Sequence, residues 1–437
     1  MQGTKYLKNA VLLTASGLVL RVMGMAFRVL IAARLGSEGM GLYQLILAMY
    51  MVFVSLASAG VNVAATRLAA QSLARGWGLG RTVRGLCTAG ALFGTVAMLA
   101  QYALAAPVAH SVLHDARAEL GLRILAPSLP FIAVAGALRG CFLAKRQVTP
   151  NIAAQLVEQP VRMAVALLAL RGYAAWGAAW GCGAVLLGNT VSEAVSCGLM
   201  LLCAAKNPGM HSAPGDPDRP FTNRALLEIV LPVGGSRILA SALQAAESSL
   251  LPMCLALYLG ERTAAVAQYG AMKGMALPLI FFPFSVLAAL SSLLMPEITR
   301  LHTAQDYAGT ARLIRKALWL TGGFSAVAGV GLVLFGTPAA RLLYGDEQVG
   351  AYVRVLGLVA PFMYLESMVD GILKGLGEQF ATFRYSVLDS GIRIAGIMAL
   401  VPRTGMKGFL AVMVISNLTT CLLNTARMAR VLRRGDE

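Results

Sequence analysis

Hydrophobic positions in this chain occur in long uninterrupted runs, separated by short breaks of charged residues, glycine or proline. Neither the alternation of a half-buried strand nor the narrow stripe of a surface helix is present over these runs. A helix of about 20 residues crosses the roughly 30 Å hydrocarbon core of a bilayer. The pattern therefore predicts twelve membrane-spanning helices, near residues 9–33, 40–66, 85–106, 121–143, 150–170, 175–204, 225–258, 264–295, 314–336, 349–373, 382–401 and 406–428.

The longest polar segment lies near the middle of the chain. It reads KNPGMHSAPGDPDRPFTNR from Lys206 to Arg224, and its prolines, glycines and aspartates predict a flexible linker. The linker, taken as residues 205–224, divides the chain into an N-terminal lobe of six spans (1–204) and a C-terminal lobe of six spans (225–437).

The two lobes contain matching motifs. RLGSEGMGLYQ joins spans one and two, and YLGERTAAVAQYG joins spans seven and eight. Span four contains GALRG and span ten contains GILKG, two patterns of small residues that favour close helix packing. Spans five and eleven each contain an acidic residue followed by an arginine four positions later: Glu158 and Arg162, and Asp389 and Arg393. Two lobes that both begin on the same side of the membrane imply a pseudo-twofold axis along the membrane normal, as in alternating-access transporters.

Composition agrees with a polytopic membrane protein. The chain has 437 residues, of which 57% are hydrophobic and 13% charged, and its mean hydropathy is +0.69. The net charge of +17 is spread over short loops, so nucleic acid is not an expected partner. One set of loops holds 22 lysines and arginines and the other set 7, which predicts that both termini are cytoplasmic. The seven cysteines lie in apolar runs without a CxxC pair and are interpreted as packing residues.

Three stretches resemble a known family: the opening Leu7–Gly24, the EGMGLYQ loop and the MPEITR end of span eight. They are similar to the stage V sporulation protein B family, a polysaccharide-flippase branch of the multidrug/oligosaccharidyl-lipid/polysaccharide (MOP) exporter superfamily, which also contains the lipid II flippases. The resemblance implies an all-α fold of two lobes around a cationic cavity. It also implies transport of undecaprenyl-diphosphate-linked sugars to the outer leaflet. Longer relatives have fourteen spans, so the position of the lipid tail is left open here.

Arg21 and Arg28 are the strongest functional signal from the residues themselves. They lie seven positions apart in span one and therefore project from one helical face. An arginine in the middle of a span costs about 2.5–3.5 kcal/mol on insertion scales, so both need a polar partner. A diphosphate suits the fork of a guanidinium, and this favours an anion site. In the alternative, the arginines pair with carboxylates, but Glu193 of span six cannot satisfy both.

In both acid–arginine pairs the acidic residue comes four positions before the arginine, the favourable order for a salt bridge within one helix. Such a pair suits a structural and a functional role equally. Without them, the first lobe keeps Arg21 and Arg28 against Glu193. The second keeps two cations against three carboxylates: Arg237 and Lys273, and Glu247, Glu366 and Asp370. We therefore predict an anion site in the first lobe and a cation or proton site in the second.

Glu247 is the first candidate for coupling to Na+ or H+, and Asp389 is the second. The alternative partner of Glu247 within its helix is Arg237, which lies ten residues earlier and is too far for a direct bridge. Six basic residues are predicted to bind the substrate: Arg21, Arg28, Arg162, Arg237, Lys273 and Arg393. No catalytic residue, metal site or resident cofactor is predicted, since His110, His114 and Asp115 lack a fourth ligand.

Three function classes fit a chain of this kind to different degrees. The first is a flippase for a lipid-linked sugar diphosphate, with membrane lipids and cell-envelope synthesis enzymes as its expected partners. The second is a cation-coupled exporter of drugs or metabolites, of the multidrug and toxin extrusion (MATE) type. The low aromatic content, 7%, and the cationic stripe in the first lobe favour the flippase. A membrane enzyme is not expected, because the predicted outside loops are short.

Overall fold

The computed structural model describes residues 2–58, 60–173, 177–211 and 223–436. Within these ranges all regular structure is helical, which confirms the predicted all-α class. Fourteen α-helices are joined by two π-helical turns, Val108–Val112 and Gly270–Ala276, and a 3₁₀ turn at Pro208–Met210. The α-helices are α1 (Gln2–Ser58), α2 (Val61–Ala74), α3 (Gly80–Pro107), α4 (Ala118–Leu125), α5 (Ser128–Ala144), α6 (Thr149–Tyr173), α7 (Ala178–Ala205), α8 (Asn223–Leu259), α9 (Arg262–Tyr269), α10 (Leu277–Thr303), α11 (Tyr307–Tyr344), α12 (Glu347–Gly375), α13 (Gln379–Thr404) and α14 (Met406–Asp436).

Each of the twelve predicted spans lies mostly on these helices, and Ala59 and residues 175–176 lie outside the described ranges. Among the described residues, ten helical stretches are long and apolar enough to cross a membrane, and α4 with α5 forms an eleventh that is bent by 42°. The first stretch, Ser16–Ala74, has 59 residues and covers predicted span two and residues 16–33 of span one. Its backbone leaves helical geometry at Gly36, where φ is 66°. A helix of that length would reach about 88 Å, enough for two crossings.

Two spans are less regular than predicted. Span four is interrupted between α4 and α5 at Ala126 and Pro127, where proline cannot donate the helical hydrogen bond. Span eight consists of α9, the π-helical turn Gly270–Ala276 and α10. Most of the predicted linker, residues 212–222, lies outside the described residues.

The chain forms two compact units that alternate along the sequence. Unit 1 comprises Met1–Gly24 and Leu42–Ala245, and unit 2 comprises Met25–Gly41 and Ala246–Glu437. The predicted lobes, 1–204 and 225–437, describe the sequence repeat, and they remain a prediction beside these units.

The same packing scheme occurs in both units. In unit 1, α5 packs against α2, α3 and α7, and α7 also packs against α6. In unit 2, α12 packs against α10, α11 and α14, and α14 also packs against α13. The helices that contain GALRG and GILKG are thus the central helices of their units.

Left-handed backbone conformations recur at matching loop positions. Gly36 and Gly260 have φ values of 66° and 75°, and they occupy the same place in the two matching loops. Positive φ also occurs at four further pairs of positions in the two halves: Gly76 and Gln305, His114 and Gly345, Arg146 and Gly377, and Gly177 and Gly405. Glycine is favoured here because a Cβ atom strains this conformation. The backbone therefore repeats at the connections as well as in the spans.

Close approach of helices explains the second glycine of each small-residue motif. A Cβ atom at Gly140 would lie 2.6 Å from the carbonyl oxygen of Asn62 on α2. A Cβ atom at Gly375 would lie 3.2 Å from the carbonyl oxygen of Met295 on α10. This contact confirms the packing interpretation at these two positions. At Gly136 nothing lies within 4 Å of a Cβ atom, so packing does not require glycine there.

Candidate functional site

Unit 1 contains a partly buried group of four charged side chains. Arg162 on α6 lies 2.6 Å from Glu158 on the same helix and 3.6 Å from Glu193 on α7. Arg139 on α5 lies 3.6 Å from the other oxygen of Glu158. We call these four residues the unit 1 cluster. Two cations face two carboxylates, so the cluster as a whole is neutral.

Hydroxyl groups on α7 complete the unit 1 cluster. The Oγ of Ser192 accepts a hydrogen bond from Nε of Arg162 at 3.3 Å. The Oγ of Ser196, one turn later, accepts one from Nη2 of Arg139 at 3.4 Å. Both serines are fully buried. Buried charges need such partners because an unsatisfied polar group in a low-dielectric interior is costly.

Unit 2 contains a second group of four charges. Arg393 on α13 lies 3.0 Å from Asp389 on the same helix and 3.9 Å from Glu247 on α8. Lys273 lies 2.7 Å from the other oxygen of Glu247. We call these four residues the unit 2 cluster. It too is neutral, and Glu247 is its most buried member, with 7% of its side chain exposed.

In unit 2 the hydroxyl groups of α14 bind the carboxylate of Asp389. Ser416 donates to Oδ1 of Asp389 and accepts from Nε of Arg393 at 2.8 Å. Thr420, one turn later, donates to the same Oδ1 at 2.9 Å. Three oxygen atoms from one carboxylate and two hydroxyls therefore meet at one point, a set of ligands that also suits a hard cation.

The π-helical turn places Lys273 in the unit 2 cluster. A π turn adds one residue to the helix and so rotates the side chains that follow, and such turns are frequent at functional sites. The Nζ of Lys273 also lies 5.7 Å from the centre of the Phe409 ring on α14. A cation over an aromatic face is stabilised by the ring quadrupole.

The two clusters share one equivalent acid–arginine pair in the repeat. Arg162 corresponds to Arg393, and in each case the arginine binds the acidic residue four positions earlier. Each arginine also donates to a serine on the last helix of its half, Ser192 or Ser416. The predicted bridges along α6 and α13 are thus confirmed, and each belongs to a larger network.

Two sequence interpretations of carboxylates need correction. Glu193, treated above as unpaired, lies 3.6 Å from Arg162. Asp370, also treated as unpaired, accepts a hydrogen bond of 2.6 Å from Lys374, because α12 continues to Gly375 and holds both residues on one face. Arg139 adds a further cation to the first lobe, so the predicted excess of positive charge at Arg21 and Arg28 stays a prediction.

The partners of Glu247 are Lys273 and Arg393, both distant in sequence. The intrahelical alternative with Arg237 is therefore not needed to neutralise this carboxylate. Glu366 is half-buried and has no ion-pair partner within 4.0 Å among the described residues, although it lies within the field of Asp389 and Arg393.

The six predicted substrate ligands fall into two groups. Arg162, Lys273 and Arg393 belong to the clusters. Arg21, Arg28 and Arg237 lie within membrane-spanning helices, and no described carboxylate lies within 4.0 Å of them. Arg21 and Arg237 are exposed and belong to unit 1, whereas Arg28 is half-buried and belongs to unit 2.

Sequence reasoning missed Arg139, Ser192, Ser196, Ser416 and Thr420. Arg139 is the arginine of GALRG in span four, a motif that the sequence analysis interpreted only as a packing pattern. The hydroxyl residues had a usable signal, because each pair is spaced by four residues near the middle of the last helix of a half. At that spacing two side chains lie on one face.

The histidines considered for metal binding have other neighbours. Nε2 of His110 lies 3.6 Å from Glu119, and Asp115 forms a salt bridge of 2.8 Å with Arg117. Over the described ranges no group of three or more His, Cys, Asp and Glu side chains could hold a metal ion.

The MPEITR motif joins α10 to α12. The hydroxyl of Thr299 donates to the carbonyl oxygen of Gly375 at 2.8 Å. Outside the membrane span, Arg300 donates to both oxygens of Glu297, and this hydrogen bonding lowers the pKa of the Glu297 carboxyl group. The motif thus stabilises the end of α10 against the central helix of unit 2.

Comparison with known families gives two matches. The family described as polysaccharide biosynthesis protein matches residues 6–292, which is about two thirds of the chain. The chain belongs to the polysaccharide biosynthesis protein family. The MatE family matches residues 237–397.

Two proteins of Bacillus subtilis (strain 168) are similar to this member of the family. Stage V sporulation protein B is 25% identical over 439 aligned residues, which cover 98% of this chain and 84% of that protein. Sporulation protein YkvU is 23% identical over 164 residues, 38% of this chain and 37% of that protein. The similarity noted at the three motifs thus extends over nearly the whole chain.

Solved structures of MOP superfamily transporters have the same fold. A MOP superfamily transporter from Pyrococcus furiosus superposes with a TM-score of 0.73 at 14% identity and covers 98% of this chain and 96% of its own. A multidrug resistance MATE family transporter in an inward-facing conformation superposes with a TM-score of 0.72 at 13% identity, over 95% and 96%. The chain is therefore a multi-pass membrane protein with the MOP transporter fold.

Proposed function

We propose that this protein moves an undecaprenyl-diphosphate-linked oligosaccharide or peptidoglycan precursor across the cytoplasmic membrane by alternating access, with both termini cytoplasmic. One observation carries the proposal: Arg21, Arg28 and Arg237 lie within membrane-spanning helices without a carboxylate partner among the described residues. Charges inside a membrane face water, a partner or a substrate, because hydrocarbon does not stabilise them. An anionic substrate supplies the missing partner.

A diphosphate fits these arginines better than a single carboxylate does. Its several oxygens accept paired hydrogen bonds from the planar guanidinium fork. The paired cations Arg162, Lys273 and Arg393 have a second role in the proposal. While no substrate is bound, these three cations stay paired with their carboxylates. A bound anion competes with the carboxylates for the cations.

Membership of the polysaccharide biosynthesis protein family supports a lipid-linked sugar as the substrate class. Similarity to stage V sporulation protein B over 98% of the chain supports a role in the cell envelope. Membrane lipids and enzymes that synthesise envelope sugars are the partners we propose. Negative potential inside the cell favours export of an anion by about 2.3 kcal/mol per charge per 100 mV.

Coupling is proposed at Glu247 and Asp389. Both carboxylates are paired with cations, so binding of Na+ or H+ changes the charge balance of the unit 2 cluster. The oxygen atoms of Asp389, Ser416 and Thr420 are the proposed Na+ ligands, because hard cations prefer oxygen.

Binding of undecaprenyl diphosphate to the purified protein tests the proposal. Native mass spectrometry compares the wild type with Arg21→Gln, Arg28→Gln and Arg237→Gln. Arg171→Gln is the matched control, because Arg171 is exposed in the last turn of α6 and is outside the predicted set. Loss of a charge-assisted hydrogen bond weakens binding by about tenfold. The proposal fails if the control and the three variants bind equally.

A cation-coupled exporter of drugs or metabolites is the second candidate. The MatE match over residues 237–397 and the carboxylates of unit 2 favour it. In that case a lipophilic cation such as ethidium binds the wild type, the arginine variants retain binding, and Glu247→Gln loses it. If the wild type binds undecaprenyl diphosphate but not ethidium, and the arginine variants weaken diphosphate binding, the drug or metabolite exporter is excluded.

A further inference from the structure

The hydroxyl group of Tyr344 is buried, and the substrate site proposed above does not use it. Tyr344 is the last residue of α11, where Gly345 ends the helix in a left-handed conformation with a φ of 68°. Its hydroxyl oxygen has no hydrogen-bond partner within the described ranges. A buried hydroxyl without a partner costs free energy, because its hydrogen bonds with water in the unfolded chain are lost. The group therefore lacks an acceptor, which a bound ligand can supply.

Arg28 of α1 belongs to the same unit and also lacks a partner. Unit 2 includes Met25–Gly41 of α1 together with α11. Ile31 and Ala32, three and four residues after Arg28, share its helical face and are buried, with 0% and 4% exposed. Arg28 itself is half-buried, and no carboxylate lies within 4.0 Å of it in the part of the chain that the structure describes. It therefore lies on the packed face of α1 with a charge that no described carboxylate balances.

The two groups are close enough to interact. The charge of Arg28 acts electrostatically on the hydroxyl of Tyr344, but no hydrogen bond joins them. A guanidinium group is a donor only, and the hydroxyl of a tyrosine is free to donate as well. An acceptor that reaches both groups satisfies both. A phosphate group combines several acceptor oxygens with negative charge, and it therefore suits this pair of donors.

We infer that Tyr344 is a further substrate ligand, and that its hydroxyl donates to a phosphate oxygen of the diphosphate bound by Arg28. The inference rests on the proposed function, since Arg28 is one of the arginines proposed to bind the diphosphate. In the orientation predicted from the loop charges, α11 ends on the outer side of the membrane. Arg28 lies near the outer end of predicted span one, residues 9–33. The two residues thus belong to the outer part of the substrate path.

Removal of one hydroxyl group tests the inference. The full-length wild type, Tyr344→Phe, Arg28→Gln and Tyr352→Phe are incubated with undecaprenyl diphosphate or with undecaprenol, and native mass spectrometry measures the bound lipid. Tyr352→Phe is the matched control in unit 2, because the hydroxyl of Tyr352 accepts a hydrogen bond from Gln348 at 3.0 Å and so has a partner. Denaturant titration in detergent measures the free energy of unfolding of each lipid-free protein.

We expect Tyr344→Phe to weaken binding of undecaprenyl diphosphate about tenfold, since a hydrogen bond to a charged group is lost. Its binding of undecaprenol, which has no phosphate, should equal that of the wild type. The free energy of unfolding of lipid-free Tyr344→Phe should be unchanged or higher, because the substitution removes a hydroxyl without a partner. Tyr352→Phe should show the opposite pattern, with unchanged lipid binding and lower stability.

Three results would overturn the inference. If Tyr344→Phe binds undecaprenyl diphosphate as the wild type does, the hydroxyl holds at most a water molecule. If its binding of undecaprenol falls equally, the effect belongs to the lipid tail. If lipid-free Tyr344→Phe loses as much stability as Tyr352→Phe, the hydroxyl has a structural role.

Arg28→Gln separates this inference from the proposed function. Unchanged binding of undecaprenyl diphosphate by Arg28→Gln contradicts the proposed role of Arg28, on which the inference rests. Weaker binding by Arg28→Gln together with unchanged binding by Tyr344→Phe contradicts the inference alone.

Discussion

Arg162 and Arg393 have the same role in the two halves of the chain. Each binds an acidic residue one turn earlier and a serine on the last helix of its half. The additional carboxylate differs, because Glu193 comes from α7 and Glu247 comes from α8. Both halves therefore contain a network centred on an arginine. The additional carboxylate of that network differs between unit 1 and unit 2.

Replacement of Arg393 tests how strongly the unit 2 cluster depends on its central cation. In Arg393→Gln, Asp389 loses its cation and Glu247 keeps only Lys273. Removal of one partner from a buried ion pair costs about 3 kcal/mol or more, because the other charge stays buried. We expect a loss of that size in the free energy of unfolding, measured by denaturant titration in detergent.

Arg384→Gln is the matched control on the same helix. Arg384 is exposed and has no carboxylate within 4.0 Å in the described part of the chain. Its loss should change stability by less than about 0.5 kcal/mol. Addition of Asp389→Asn to Arg393→Gln should restore part of the lost stability, since it removes one uncompensated charge. Equal stability of the Arg384 and Arg393 variants would contradict the ion-pair network.

At the scale of elements, α5 and α12 organise their units through small residues. Each of these helices packs mainly against three others, and the second glycine of each motif touches the backbone of α2 or α10. Helices in membranes associate through such close contacts, because lipid gives no hydrophobic driving force between them. The motif therefore acts through shape and has no direct part in chemistry.

Two glycines of one motif make a controlled comparison. In Gly140→Ala, the new Cβ atom would meet the Asn62 carbonyl oxygen at 2.6 Å, and α2 would have to move away from α5. We expect the distance between α2 and α5 to increase and the free energy of unfolding to fall by about 1–3 kcal/mol, the usual cost of overpacking. The midpoint of thermal unfolding in detergent measures the loss of stability.

In Gly136→Ala, the Cβ atom meets nothing within 4 Å. Alanine is more favourable than glycine in a helix by about 1 kcal/mol, so this variant should be equally or more stable than the wild type. If the Gly136 variant is destabilised as much as the Gly140 variant, close contact with α2 is not the reason for the motif.

For the whole molecule, loop charge gives the orientation that the helices alone leave open. The set of loops with 22 lysines and arginines should be cytoplasmic, since positive loops are retained on that side. A fluorescent reporter fused after Glu437 should then be bright, and alkaline phosphatase fused there inactive. Alkaline phosphatase inserted beside His114, in a loop of the other set, should be active. The reverse pattern of activities would refute the orientation.

The sequence by itself determined the features that depend on neighbouring residues. Hydropathy over about twenty residues places the spans, because the bilayer selects the length of an apolar helix. Spacing of four along α6 and α13 predicts the bridges Glu158–Arg162 and Asp389–Arg393, because both groups share a helical face. The family resemblance at three short motifs likewise needed only local pattern.

Tertiary structure decided which distant charges join these bridges. Glu193 and Arg139 reach Arg162 and Glu158 from other helices, and Lys273 reaches Glu247 from a π-helical turn. Hydropathy and spacing do not specify which faces of two helices meet, or where a helix gains an extra residue per turn. Those choices follow from packing of small residues and from the need of every buried charge for a partner, and both act through space between residues remote in sequence.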